Sequence, residues 1–467
     1  MLAMLIYLIV ISLMIWIMNK KQLFPYSVSY KKWISIAFIF KVIATIGMWY
    51  IYTYYYTNHA VNDIYKYYKD GEIIHSLLKE NFSDFIKLIR GQEIYNPQSL
   101  LKIKELKYWV KINSYGIYND NQTIILLNSL LLFLSNGNMI IQSLYFSTIA
   151  FFATLLLFNS FVVYFDEKKK YLFGILFFTP SILLWTSGLF KETLIWISLS
   201  LVIININTLI IKNKTWVYLF TLPLSCLLLL ISKAYYAAFI LPTIGCILIF
   251  LTLKSLPIKT IFRSVYLLLF SLFLYWSVFH NPVIYDYEGK NEKEQIEEYK
   301  KVTSKSYERN VLGNDLNILE MLRFKQADYK YEARIEKAKS IIKIKKIDGK
   351  LSNLFACIPF GLINAITRPS LVDINSAFIA LPAIENTILL VLIFAAFRFR
   401  CQLSIEQKPI ELLLRYFTVS LLIFIGILVP VLGNLVRYRA PIFPLILVLL
   451  LFHTNINQLF SYLRKFK

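Results

Sequence analysis

Apolar runs of about 17 to 26 residues recur along the whole length of this chain, each long enough as a helix to cross roughly 30 Å of hydrocarbon. Inside lipid the backbone has to satisfy its own hydrogen bonds, so runs of this kind fold as a bundle of spanning helices. They fall near 2–18, 33–52, 139–164, 171–187, 193–211, 216–232, 237–253, 264–280, 377–397, 413–430 and 440–455. The expected fold is all-α, a single integral membrane domain over 1–467 with about 11 transmembrane helices. Composition agrees, because 467 residues that are 57% hydrophobic and 16% aromatic exceed what a water-soluble fold buries.

The cations between these runs alternate. One set of connectors, with the C-terminal tail, carries Lys20, Lys21, Lys31, Lys32, Lys168, Lys169, Lys170, Lys212, Lys214, Lys254, Lys259, Arg263, Arg398, Arg400, Lys408, Arg464, Lys465 and Lys467. The short connectors between them hold only Lys191, Lys233, Arg437 and Arg439. The positive-inside rule then predicts a cytoplasmic C-terminus and an outer N-terminus. The apolar stretch Thr123–Ser135 is too short to span at about 1.5 Å per residue, and it is expected in the outer interface or as a re-entrant piece. The first run lacks a preceding basic segment and a small-residue cleavage site, so it reads as a retained anchor. The net charge of +22 belongs with anionic lipid rather than nucleic acid. Cys226, Cys246, Cys357 and Cys401 have neither metal-ligand spacing nor a paired pattern.

Two outer loops are expected, 53–138 with its interfacial helix and 281–376, helical and charged. The charge pattern over 288–345 reads as a solvated helix surface, without assigned chemistry. No GxxxxGK[ST], GxGxxG, HExxH, CxxC or GxSxG motif occurs, and His59, His75, His280 and His453 are scattered. A nucleotide-driven pump and a zinc hydrolase are therefore unsupported, and no internal repeat marks a transporter.

What remains is a set of polar constellations on the outer side. Asp63 and Tyr67 are four apart and share a helix face, where a carboxylate above the bilayer suits a general base. A capped interfacial helix is the plain alternative. Asp120, before the short apolar segment, fits a helix cap or a substrate or metal ligand. Lys191 and Glu192 follow a Pro180…Gly188 hairpin end, and Lys233 stands in a tight turn with Tyr235 and Tyr236. An ammonium there meets phosphate at the membrane surface, or pairs locally and snorkels. Arg437 and Arg439 flank Tyr438 ahead of Pro441 and Pro444, and a guanidinium fork suits phosphate oxygens. Arg368 with Asp373, and Glu385–Asn386 within an apolar run, are weaker marks.

Together these residues resemble integral-membrane glycosyltransferases of the C-fold superfamily. Asp63 with Tyr67 is similar to the first-loop acidic motif of protein O-mannosyltransferases and aminoarabinose transferases, and Arg437-Tyr438…Pro441…Pro444 resembles their late Arg-Tyr…Pro…Pro element. The run Pro180–Glu192 resembles a stretch common in bacterial membrane proteins of polysaccharide loci. Two departures stand out: Ile64 occupies the place of a second acidic residue, and no large C-terminal periplasmic domain follows.

The resemblance implies transfer of a sugar from a polyprenyl-phosphate donor to a lipid-linked or cell-surface glycan acceptor, on the outer face of the bacterial cytoplasmic membrane. Asp63 would be the catalytic base. Tyr67, Asp120, Lys191, Glu192, Lys233, Arg368, Arg437, Tyr438 and Arg439 would bind substrate, with no cofactor and a divalent metal left open. The alternatives are an O-antigen or capsule repeat-unit polymerase and a lipid-linked saccharide flippase. The expectation underneath all of this is that the carboxylate and the outer cations gather in one pocket.

Overall fold

The computed structural model describes residues 2–18, 27–56, 62–109, 120–212, 215–253, 256–279, 318–335, 340–348 and 350–465. Lys20, Lys21, His59, Tyr118, Asn119, Lys214, Lys254, His280, Lys467 and most of the charged segment 288–345 lie outside them. The described residues are mostly helical, and the β-pairing among them consists of isolated bridges.

Six helices are long and apolar enough to cross a membrane: Tyr30–Tyr55, Met139–Tyr164, Lys191–Ile211, Ala234–Thr252, Phe378–Arg398 and Gln407–Leu428. A seventh is added if Leu432–Arg439 and Phe443–His453, bent by 61°, form one broken span. The other expected runs do not meet that length and apolarity among the described residues. The expected span 171–187 is split at Thr179–Pro180 into helices of 10 and 6 residues, because Pro180 starts a new helix at its first position. The run at 2–18 forms a helix of 17 residues, and the run at 216–232 lies in a helix of 18, Thr215–Ser232.

Backbone contacts divide the chain into two compact units, Met1–Lys111 with Asn119–Ala238, and Phe239–Lys467 with Ile112–Tyr118. In the first unit the helices are α1 (Leu2–Met18), α2 (Ser27–Tyr50), α3 (Asp63–Glu80), α4 (Phe82–Ile89), α5 (Pro97–Glu105), α6 (Asp120–Ser135), α7 (Met139–Phe161), α8 (Lys169–Phe178), α9 (Pro180–Trp185), α10 (Lys191–Lys212) and α11 (Thr215–Ser232). A π turn, Ile51–Tyr55, closes α2.

Side-chain pairs set the helix directions. Tyr30 meets Phe158, Phe38 meets Phe151, and Thr45 donates to Ser147 at 2.8 Å, so α2 runs antiparallel to α7. Trp196 Nε1 donates to Thr154 at 2.8 Å and Asn207 Nδ2 to Ser160 Oγ at 2.6 Å, so α7 and α10 run parallel. These directions put Lys31, Lys169 and Lys212 at one end of the unit and Lys191 at the other.

The polar stretch before α6 folds back on it. Asn62, Asn81, Asn96 and Asn138 stand at the N-terminal caps of α3, α4, α5 and α7, and all but Asn62 accept backbone N–H bonds there. Asn62 instead donates to the carbonyls of Tyr52 and Tyr56, tying α3 to the π turn. Gly71 lets α3 press on α6, where a Cβ would come within 2.9 Å of Asn128 Cβ. The first turn of α6 meets the end of α11, Thr123 donating to Ile231 O at 2.7 Å. The other end of α6 turns through Asn136 and Gly137, both at positive φ, straight into α7. Both ends of α6 therefore meet the same end of the unit, and the helix caps that end instead of threading the bundle.

The second unit contains most of α12 (Ala234–Thr252), then α13 (Ile258–Phe279), α14 (Ile318–Ile335), α15 (Leu351–Thr367), α16 (Ala377–Arg398), α17 (Gln407–Leu428), α18 (Leu432–Arg439), α19 (Phe443–His453) and α20 (Ile456–Arg464). The end of the expected second loop is an apolar helix, α15, packed on α17 through Gly361 and Gly426. The charged α14 also has a buried stitch. Gln326, 2% exposed, donates to Lys345 O at 3.0 Å and Ile427 O at 2.8 Å and accepts from Ile347 N at 3.0 Å. Its residues are thus not all solvated, since an amide that pairs all three ways carries its burial without loss.

Candidate functional site

Asp120 begins α6, Lys191 begins α10, and Lys233 stands between α11 and α12, so three helix starts meet where these side chains do. The Lys191 ammonium lies 3.0 Å from Asp120 Oδ1 and the Lys233 ammonium 2.5 Å from Oδ2. All three side chains are mostly buried, at 8, 17 and 11% exposure for Lys191, Lys233 and Asp120, so water screens them weakly. Lys191 also donates to Asn121 Oδ1 and faces the Tyr67 ring at 5.2 Å, and Lys233 lies 5.8 Å from the Tyr235 ring. The N-terminal ends of the helices starting at Asp120 and Lys191 add positive potential beside the two ammoniums.

Asp63 joins this end through α3. It stands one turn before Tyr67, is partly exposed, and lies 3.9 Å from the Lys66 ammonium. Lys66 lies 5.1 Å from the Tyr108 ring. The Tyr108 phenol is pushed above its usual range, first by burial and then by the charges of Asp70 and Asp63. The segment carrying Tyr108 is clamped from both sides. Asp70 accepts from Lys107 N at 3.2 Å and Tyr108 N at 2.7 Å, while Asn121 Nδ2 and Gln122 Nε2 donate to Tyr108 O and Trp109 O at 3.1 and 3.2 Å. Burial holds the Asp70 carboxyl above its usual range, against these backbone donors. Asp63, Tyr67, Asp120, Lys191 and Lys233 are thereby brought to one end of the first unit. Glu192, in the first turn of α10, is buried at 3% exposure.

The remaining expected residues belong to the second unit. Arg439 is 1% exposed, and its guanidinium donates to Ala365 O, to Arg368 O at 3.3 Å and to Asn386 Oδ1 at 2.6 Å, with Phe443 stacked at 5.1 Å. These acceptors occupy the planar fork, so Arg439 ties α18 to α15 and α16 rather than standing open to a phosphate. Arg368 pairs with Asp373, and Asn386 also donates to Pro369 O at 2.8 Å. Arg437 is partly exposed in the last turn of α18, and Tyr438 lies 6.1 Å from the Tyr329 ring.

Sequence reasoning passed over Lys41. It lies in mid-helix in α2, 5% exposed, donating to Thr186 Oγ1 and to Leu183 O at 3.4 Å. Leu183 is in the last turn of the short α9, whose carbonyls welcome a cation. Phe151, Thr154 and Thr186 share a cavity of about 10 Å³ with Lys41, the room one water needs. The available signal was a lone lysine inside an apolar run. Among the described residues no group of three or more His, Cys, Asp or Glu side chains is gathered to hold a metal ion.

No protein-family model, no curated protein and no solved structure matches this chain.

Proposed function

We propose that this chain is a glycosyltransferase that moves a sugar from a polyprenyl-phosphate donor to a lipid-linked or cell-surface glycan acceptor. The reading places it in a bacterial cytoplasmic membrane with the N-terminus outside, the C-terminus in the cytoplasm and the Asp120 end of the first unit facing out. Its main support is the pair of lysines, 42 residues apart in sequence, that meet on Asp120 beside the helix carrying Asp63 and Tyr67. In this reading Lys191 and Lys233 bind the donor phosphate.

The acceptor hydroxyl oxygen attacks the anomeric carbon as the bond to the phosphate oxygen breaks. The phosphate leaves with the electron pair, and Asp63 takes the acceptor proton. Charge grows on the phosphate during this step, so cations already in place favour the transition state. Asp120 is already engaged by two ammoniums, so the acceptor proton is assigned to Asp63.

The test is transfer of labelled sugar by purified protein in nanodiscs supplied with polyprenyl-phosphate sugars and envelope lipid extract. Asp63→Asn and Lys191→Gln should each lower transfer by at least about a hundredfold while thermal melting is retained. Full transfer in both variants removes the reading. A ladder of products identifies a polymerase, and movement of substrate without a new glycosidic bond identifies a flippase.

A further inference from the structure

We infer that Asp120 is a resident stand-in for the donor phosphate: it occupies the two lysines while the site is empty, and the incoming phosphate displaces it. The inference rests on reading this cluster as a phosphate grip.

The arrangement has the form such an exchange needs. Each Asp120 oxygen takes one ammonium, Oδ1 from Lys191 at 3.0 Å and Oδ2 from Lys233 at 2.5 Å. A phosphate presents two anionic oxygens at a similar angle and spacing. The lysines do not depend on Asp120 alone for their aim. Lys191 keeps Asn121 Oδ1 and the Tyr67 face, and Lys233 keeps Tyr235.

The departing carboxylate also has somewhere to go. Asp120 is the first residue of α6, where the helix dipole favours a negative charge. Turning away from the lysines therefore does not strand it.

The charges then work out in sequence. A sugar-phosphate-lipid donor is a phosphodiester with one negative charge, so it exchanges with Asp120 at nearly constant charge. Once the sugar leaves, the phosphate is a monoester with more charge and is held more tightly as the bond breaks. Asp120 opposes that grip, and its return helps expel the product.

Binding of farnesyl phosphate and of inorganic phosphate to the full chain in nanodiscs tests this without requiring sugar transfer. Asp120→Asn, which keeps the shape and removes the charge, should tighten farnesyl phosphate binding about tenfold or more. Lys191→Gln and Lys233→Gln should each weaken it. Asp120→Ser, which keeps a helix-capping oxygen, should behave as Asp120→Asn does and stands in for it if that variant fails to fold. Preference for farnesyl phosphate over inorganic phosphate marks a lipid carrier as the source, and equal binding marks free phosphate.

Unchanged or weaker binding in both Asp120 variants overturns the inference and leaves Asp120 as a support for the lysines. Absence of binding in every form overturns it equally. If the wild type binds and Asp120→Asn binds tighter, but no sugar is ever transferred, the exchange stands and the transferase reading falls.

Discussion

At the scale of single residues, a cation in the expected outer connectors meets one of two environments. Lys191 and Lys233 share the Asp120 carboxylate, whereas the Arg439 guanidinium is held by two main-chain carbonyls and Asn386. The sequence could not separate these cases, because an arginine beside a helix break looks the same whether its acceptors are protein or ligand. Asp373 gives a residue-scale test that depends on pH. Burial raises its proton affinity, but the Ser370 N–H at 2.7 Å, the Ser370 hydroxyl at 2.8 Å and Arg368 outweigh it, and the folded carboxyl titrates below the usual range. A depressed carboxylate stabilises the fold above its unfolded pKa, near 3.9, and that contribution disappears as pH falls through the lower folded value. The melting-temperature gap between wild type and Asp373→Asn should therefore be positive at pH 7, hold down to about pH 5, and close below about pH 4. A gap that ignores pH contradicts this assignment.

At the scale of elements, the sequence marked helix positions well where apolar runs were long and poorly where a run was broken or a polar stretch hid a packing face. Thr123–Ser135 was recognisable as too short to span, and α6 does lie across one end of its unit. The split at Thr179–Pro180 depends on one proline, and in other contexts a proline only kinks a helix. Helix α15 falls in the stretch expected as a helical, charged outer loop, whereas Leu351–Thr367 carries no charged residue and has a glycine for close packing. That packing is testable. A Cβ on Gly361 would lie 2.6 Å from Ile427 Cγ1 and 2.9 Å from Ile427 N, and one on Gly426 would run into the Gly361 carbonyl. A main-chain carbonyl yields less than a side chain, so Gly426→Ala should cost about 1–3 kcal/mol or more and Gly361→Ala somewhat less. Melting in detergent checks the order. Equal stability of Gly426→Ala and wild type would mean that α15 and α17 do not approach this closely.

At the scale of the whole chain, the alternating cations and the helix directions point the same way by independent routes. Composition alone places Lys31, Lys168–Lys170 and Lys212 together and sets Lys191 and Lys233 apart. The contacts of α2, α7 and α10 put Lys31, Lys169 and Lys212 at one end of the first unit and Lys191 at the opposite end. Among the described residues six helices are long and apolar enough to span, or seven if α18 and α19, bent by 61°, form one broken span, and hydropathy alone does not reveal such a bend. The gathering of Asp120 with two distant lysines was not legible either, since nothing local in the sequence fixes which helix starts meet. Orientation is then decided by labelling. In a cysteine-free background, Tyr95→Cys, at a position 76% exposed between α4 and α5, should react with a membrane-impermeant maleimide in intact cells. Ile405→Cys, at a position 81% exposed between α16 and α17 near Arg398, Arg400 and Lys408, should react only after the membrane is opened. The reverse pattern would put Lys191, Lys233 and Asp120 on the cytoplasmic side, and the proposed phosphate donor would then have to come from that compartment.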